Sequence, residues 1–313
     1  MASQAAVDKH RVTAVLVSHN GAVWLPEVVA ALTSQTRPID LITAVDTGSQ
    51  DSSTKLLKSA RIPFISTDVE TGFGQAISLA VNKLPKSVDH EWIWLIHDDC
   101  APAPTALAEL LAAIDDRPQV VMVGPKLLGW HDRTHLLEAG VSIAGNGARW
   151  TGLEPLEYDQ GQHDGNHDVL AVSTAGALIR RDVFEELGGL DPNLTLFRDD
   201  VDFGWRARAA GHSVMAATGA IAYVSTAAIT TATAGDVVRT SVDTSTTYVL
   251  PLTTKSGTLT VNLNSDSAGT NATGKTVLVT PTWSGSYVST TSTPATSTAG
   301  TNYVSDASGN LGS

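Results

Sequence analysis

The sequence predicts an α/β fold: a mostly parallel sheet flanked by helices over about residues 12–223, followed by a small β-rich C-terminal segment. Three observations predict it. Short apolar runs alternate with stretches whose apolar residues recur at helical spacing, the pattern of repeated βα units. Acids and glycines follow those runs, where an open sheet presents its ligand-binding groups. Past Val224 the composition turns abruptly to Ser, Thr, Gly, Asn and Ala, with alternating β-branched residues.

Thr13 to Val17 reads as the first strand, ending at Ser18-His19-Asn20-Gly21. Leu25, Val28, Val29 and Leu32 then mark a helix face, with Pro26 in the first turn, where its missing N–H does no harm. Leu41 to Val45 is a second strand that stops at Asp46-Thr47-Gly48-Ser49, and a helix carries Leu56 and Leu57. Phe64 to Ser66 is a third strand, and Gly72-Phe73-Gly74 precedes a helix whose face is Ala76, Ile77, Ala80, Val81 and Leu84. Trp92 to Ile96 is a buried strand running into His97-Asp98-Asp99, followed by a helix that opens near Pro104 and a strand over Val120 to Val123.

From Gly124 to His167 the pattern loosens into Gly, His, Asp and Trp, which reads as a long functional loop or lid. Order returns with the apolar run Ala171 to Ile179, a helix over Asp182 to Leu187 broken by Gly188-Gly189, and a helix start over Leu196 to Arg206 that is capped by Gly211. Thr258 to Leu263 and Thr276 to Thr280 read as strands of a β-sandwich or fibrous β segment, with a disordered end after about Thr290. The expected division is 1–224 and 225–313.

The 313 residues carry a formal net charge of −12, nearly all of it before Val224. This excludes a nucleic-acid-binding surface, which needs clustered Lys and Arg. A phosphorylated ligand must therefore be held locally, through a divalent cation. The single cysteine, Cys100, forbids an intramolecular disulfide and fits a reducing compartment, where it reads as a small buried hydrophobe. No apolar run reaches the roughly 20 residues of a membrane span. The Met1–Arg11 leader lacks an export pattern, so a cytoplasmic location is expected, extending to peripheral association with the inner face of the membrane.

Asp98 and Asp99 are the oxygen ligands that Mg²⁺ or Mn²⁺ selects, one or two carboxylates completed by phosphates. An isolated Asp-Asp pair is more often a turn or helix cap. Gly72-Phe73-Gly74 reads either as a phosphate cradle or, more simply, as a glycine turn. Trp130, His131, His135, Trp150, His163 and His167 could form an acceptor-sugar platform, although loop histidines are usually just exposed or hydrogen-bonded. Trp205 and Arg206 are expected to pack and pair on the helix of Asp200.

Taken in order, Ser18-His19-Asn20, Asp46-Thr47-Gly48-Ser49-Gln50-Asp51, Gly72-Phe73-Gly74, His97-Asp98-Asp99 and Asp199-Asp200-Val201-Asp202-Phe203-Gly204-Trp205-Arg206 resemble the family 2 glycosyltransferases of the GT-A fold. The resemblance covers about Val12 to Tyr223. It implies donor contacts from Ser18, Asn20, Asp46, Ser49, Gly72, Gly74 and Asp98, with Asp46 at the nucleotide base. It implies Asp99 as the metal ligand, Mn²⁺ or Mg²⁺ as cofactor, and Asp200 as the base that deprotonates the acceptor. Asp199, Asp202, Trp205 and Arg206 would support the acceptor side. The partners implied are a nucleotide-sugar donor, most simply a UDP- or dTDP-sugar, and a glycan or lipid-linked acceptor of the cell envelope. Two positions depart from the family: His97 stands where Asp-x-Asp has its first acid, and no histidine follows His212 where the family places a late metal ligand. A non-catalytic carbohydrate-binding or surface-display protein, its transferase half an inactive remnant, is the alternative from another class. A glycosidase would also use paired acids but leaves the early βα motifs without a role.

Overall fold

In the computed structural model, backbone and side chains are described for residues 10–85, 90–145, 149–154, 157–194 and 198–225, and beyond 225 only the backbone of the strands named below. The chain separates into two compact units, Met1–Thr226 and Ala227–Ser313.

The first unit begins with β1 (Arg11–Ser18), α1 (Leu25–Thr33), β2 (Leu41–Thr47), α2 (Ser53–Ser59), β3 (Phe64–Thr67), α3 (Phe73–Val81) and β4 (Glu91–His97). β5 (Cys100–Pro102), α4 (Ala106–Ile114) and β6 (Val120–Gly129) follow. The strands β7 (Leu136–Glu138), β8 (Ser142–Ile143), β9 (Arg149–Trp150), β10 (Asn166–Val169) and β11 (Leu178–Arg180) lead to α5 (Arg181–Glu186), α6 (Asp199–Ala209) and β12 (Ser213–Val224).

The main sheet runs β10-β12-β6-β11-β4-β1-β2-β3. β1, β2, β3 and β4 are mutually parallel, and so are β6 and β12, whereas β11 enters antiparallel between β4 and β6. Successive residues of β1 serve opposite layers. Val12, Ala14 and Leu16 pack with Leu25, Val28, Leu57, Leu107 and Leu110 of α1, α2 and α4, while Val15 and Val17 pack with Ala76 and Ile77 of α3 and with Phe184 and Phe203 of α5 and α6. β4 divides in the same way, with Trp94 and Ile96 in one layer and Ile93 and Leu95 in the other. Burial on both faces is why these strands read as unbroken apolar runs. The Trp94 indole can be fully buried because its N–H donates to the Gly176 carbonyl at 2.9 Å.

The stretch expected to be a loop is partly ordered. β6 continues to Gly129, β7 pairs with it, β8 and β9 form a hairpin, and β10 joins the edge of the sheet against β12. These strands are two to four residues long, too short for alternation to show. Conversely, only Leu178–Arg180 of the apolar run before α5 is a strand. Among the described residues no helix is long and apolar enough to cross a membrane.

In the second unit, Leu259–Asn262 and Thr276–Val279 pair antiparallel, Leu259 opposite Val279. Ala295–Ser297, Asn302–Ser305 and Leu311–Gly312 extend that sheet in order, past the point at which the sequence predicts disorder.

Candidate active site

β1 has β2 on one side and β4 on the other, so strand order reverses there and a crevice opens beyond the carboxyl ends of β1 and β4. Val17 lies opposite His97 in the register, which brings Ser18–Asn20 beside His97–Asp99. The backbone N–H of His19 donates to Asp98 Oδ2 at 2.7 Å. Gly21 is packed so closely on that carboxylate that a Cβ there would stand 2.3 Å from Asp98 Oδ2.

Asn20 takes a left-handed backbone, φ 53°, and fastens this turn to the end of β2. Its N–H donates to Ser49 Oγ at 2.9 Å, and its Oδ1 accepts from Gln50 N at 2.7 Å. Asp46 Oδ2 accepts from Ser49 N at 3.2 Å, while Oδ1 of the same carboxylate is buried with no partner among the described residues. An acceptor without a donor costs free energy inside a protein, so this oxygen is suited to receive an N–H from a ligand. Ser18, Asn20, Asp46, Ser49 and Asp98 are thus brought together.

The glycine pair has another explanation. Gly72 N donates to Gln75 Oε1 at 3.3 Å at the start of α3, and a Cβ on Gly74 would stand 2.8 Å from Leu190 Cβ. Gly74 lets α3 close on Leu190, which is a packing role.

Burial raises Asp98 and Asp99 to about 6, Asp99 adding repulsion to Asp98. Burial also pushes His97 down to about 4, and its Nε2 is 3.0 Å from Thr174 Oγ1. Burial thus favours a neutral imidazole at His97, engaged with Thr174. Among the described residues no three His, Cys, Asp or Glu form a closed metal cage. Two desolvated adjacent carboxylates, with no Lys or Arg ion pair among the described residues, are the kind of oxygen ligands that fit a divalent ion whose shell phosphates complete. Ser225, the residue after β12, donates its N–H to the Asp99 carbonyl at 3.1 Å, so the end of β12 reaches this site with serine and not the late histidine of the family. Cys100 is buried and its thiol is pushed up by that burial and by Asp99, as suits an inert core residue.

The second acid group lies at the start of α6. Asp200 Oδ2 accepts from Arg149 Nε at 3.0 Å, and a terminal nitrogen of the same guanidinium lies 2.9 Å from it as an ion pair. Arg149 also pairs with the buried Glu138 at 2.5 Å. Glu138 Oε1 accepts from Ser173 N at 2.7 Å. Burial raises Glu138, and Arg149 opposes that rise. Burial and the adjacent Asp200 raise Asp199 to about 6. Ser173 and Thr174 consequently join the two groups: one touches the Glu138–Arg149–Asp200 cluster and the next touches His97. Ala139 and Trp150, the neighbours of Glu138 and Arg149, line an open cavity of about 570 Å³ with Ser142, Asp168 and Arg208.

The other residues of α6 have structural roles. Arg206 pairs with Asp202 Oδ2 at 2.6 Å and donates to the Leu187 and Gly189 carbonyls, fastening α6 to the turn after α5. Trp205 does not pack as expected: it is 60% exposed, because the helix already buries Phe203 and Ala207 on its core side. The histidines of the excursion are engaged locally, His163 with Glu157 at 2.8 Å and His135 against Tyr158. Glu138 and Arg149 were not legible as site residues. Their signal was an acid inside Leu136-Leu137-Glu138-Ala139 and the scarcity of bases between Lys126 and Arg180, where only Arg133 and Arg149 occur.

The sequence profile described as "Glycosyltransferase like family 2" matches residues 10–246. The chain belongs to that family. The O-antigen biosynthesis protein RfbC of Myxococcus xanthus is 29% identical over 139 residues, which are 43% of this chain and 11% of that protein. The galactofuranosyltransferase GlfT1 of Mycolicibacterium smegmatis is 26% identical over 196 residues, 61% of this chain and 63% of that protein. The family 2 chain thus spans less than two thirds of either relative. A crystal structure of GalNAc-T7 with UDP, GalNAc and Mn²⁺ superposes with a TM-score of 0.55 at 17% identity, covering 69% of this chain and 44% of that one. The fold is that of the GT-A glycosyltransferases.

Proposed function

We propose that the chain is an inverting glycosyltransferase that moves a sugar from a UDP- or dTDP-sugar to a cell-envelope glycan or lipid-linked acceptor. The observation that supports this reading is the Ser173–Thr174 dipeptide, whose adjacent residues contact Glu138, the partner of Arg149 beside Asp200, and His97, the neighbour of Asp98. The printed names of the relatives, one O-antigen biosynthesis and one galactofuranosyl transfer, support the class of acceptor.

In this reading Asp46 Oδ1 receives the base N–H, with Ser18, Asn20 and Ser49 shaping its pocket. Asp98 holds ribose or metal, and Asp99 with the diphosphate holds Mn²⁺ or Mg²⁺. When bound, that ion supplies positive charge against the departing diphosphate. The acceptor hydroxyl attacks the anomeric carbon as the bond to diphosphate breaks, and its proton passes to Asp200. The cavity beside Trp150 takes the acceptor glycan. The enzyme works at the cytoplasmic face of the membrane, and residues 225–313 are an added β module.

Asp200→Asn should abolish release of nucleoside diphosphate and leave donor binding intact, whereas Asp99→Ala should weaken Mn²⁺-dependent donor binding. Turnover retained by Asp200→Asn removes it as the base. A wild-type chain that binds donor and never releases diphosphate is a carbohydrate-binding protein, not an enzyme.

A further inference from the structure

We propose that Arg149 is a positioning residue of the transfer site: its guanidinium, held from behind by Glu138, takes Asp200 Oδ2 and leaves Oδ1 as the atom that receives the acceptor proton. The inference rests on the reading of Asp200 as the base.

The argument is a count of lone pairs. A carboxylate offers about four acceptor sites, two on each oxygen. Arg149 Nε donates to Oδ2 at 3.0 Å, and the terminal nitrogen that donates to Glu138 lies 2.9 Å from the same oxygen, so the guanidinium covers Oδ2. Val201 N donates to Oδ1 at 2.8 Å, so one site remains there. The carboxylate is held by two hydrogen bonds, with the guanidinium against Oδ2 and an open acceptor site on Oδ1. A planar guanidinium is needed to serve Asp200 through Nε and Glu138 through its terminal nitrogen in one fixed geometry, which the point charge of a lysine ammonium does not reproduce.

Glu138 makes the grip compatible with base chemistry. A guanidinium facing Asp200 alone would oppose arrival of a proton through its full positive charge. The Glu138 carboxylate, 7% exposed and paired with the same guanidinium, offsets that charge. Asp199, next to Asp200, adds further negative potential. With Glu138 and Asp200 ionised, the cluster carries one net negative charge before transfer, and proton uptake at Oδ1 brings it to neutrality. Glu138 and Arg149 come from β7 and β9, outside the helix that bears the base, so the aim of Asp200 is set by the excursion between β6 and β10.

The test compares wild type, Arg149→Lys, Arg149→Ala and Asp200→Asn for turnover of a UDP-sugar with Mn²⁺, and for UDP binding by calorimetry. Arg149→Lys should lose about 100-fold in kcat, the cost of a misaimed reacting group, with UDP affinity within twofold of wild type. Methylguanidinium added to Arg149→Ala should restore turnover saturably, an effect that a purely structural role would not produce, and should do nothing for Asp200→Asn. Wild-type kcat in Arg149→Lys, or no rescue of a folded Arg149→Ala that still binds UDP, overturns the inference while leaving Asp200 as the base. Undiminished turnover in Asp200→Asn removes Asp200 as the base and Arg149's role with it, whereas no turnover in wild type refutes the transferase reading itself.

Discussion

Gly21→Ala is a one-carbon probe of the crevice between β1 and β4. Gly21 has no left-handed backbone to defend, so alanine meets no conformational penalty there. Its added Cβ would stand 2.3 Å from Asp98 Oδ2 and 2.6 Å from Asp98 Cβ and Cγ, where ordinary contact begins at 3.4 Å. Because Asp98 Cβ is fixed by β4, the conflict cannot be relieved by rotating a flexible tip, and the carboxylate must leave His19 N. A hydrogen bond to a charged group is worth about 1.5–3 kcal/mol, which corresponds to roughly 10- to 100-fold in affinity for a ligand that needs Asp98 in place. Calorimetry with UDP and Mn²⁺ should show that loss. Gly219→Ala is the control, since its Cβ would meet Glu109 Oε2 at an ordinary 3.5 Å and should bind as wild type. A Gly21→Ala chain with wild-type UDP affinity would refute both the role of Asp98 and the placement of the crevice.

Gly74→Ala should cost about 1–3 kcal/mol of stability in urea unfolding through overpacking on Leu190, without changing UDP affinity in proportion. Trp205→Ala, on an exposed position of α6, should shift stability by no more than about 0.5 kcal/mol, and a larger loss in thermal unfolding would mean that the indole packs after all. Asp199 has its folded pKa raised from 3.8 to about 6 by burial and by Asp200, so the native state binds more protons and this group's contribution to stability falls as pH rises across that window. Asp199→Asn should therefore gain on wild type between pH 4 and 6 in stepwise urea titrations, and a constant difference across the window would contradict the assignment.

The sequence made the sheet visible wherever strands are buried on both faces, as over Trp92–Ile96, and the aspartates of the proposed site visible because they follow such strands or open a helix. What it concealed lies in the excursion after β6. Arg149 reaches Asp200 across 51 positions and Glu138 across 11, from strands too short to carry a period. Pairing of that kind is decided by tertiary packing, and local propensity is silent on it. The packing role of Gly74 was hidden for a related reason: a glycine looks the same in sequence whether it spares room for phosphate or for Leu190. Trp205 misled because an apolar residue on an amphipathic helix is expected inward, and nothing local tells that Phe203 and Ala207 already fill that side.

One consequence follows from the dipeptide at positions 173 and 174. Because adjacent residues of a single backbone segment serve the imidazole at one end and the buried glutamate at the other, neither end can be retuned alone. On the proposed reading, a shift of this segment that admits a bulkier donor would also disturb Glu138 and, through Arg149, the aim of Asp200, so selection for a new sugar would proceed through paired changes on both sides of the dipeptide.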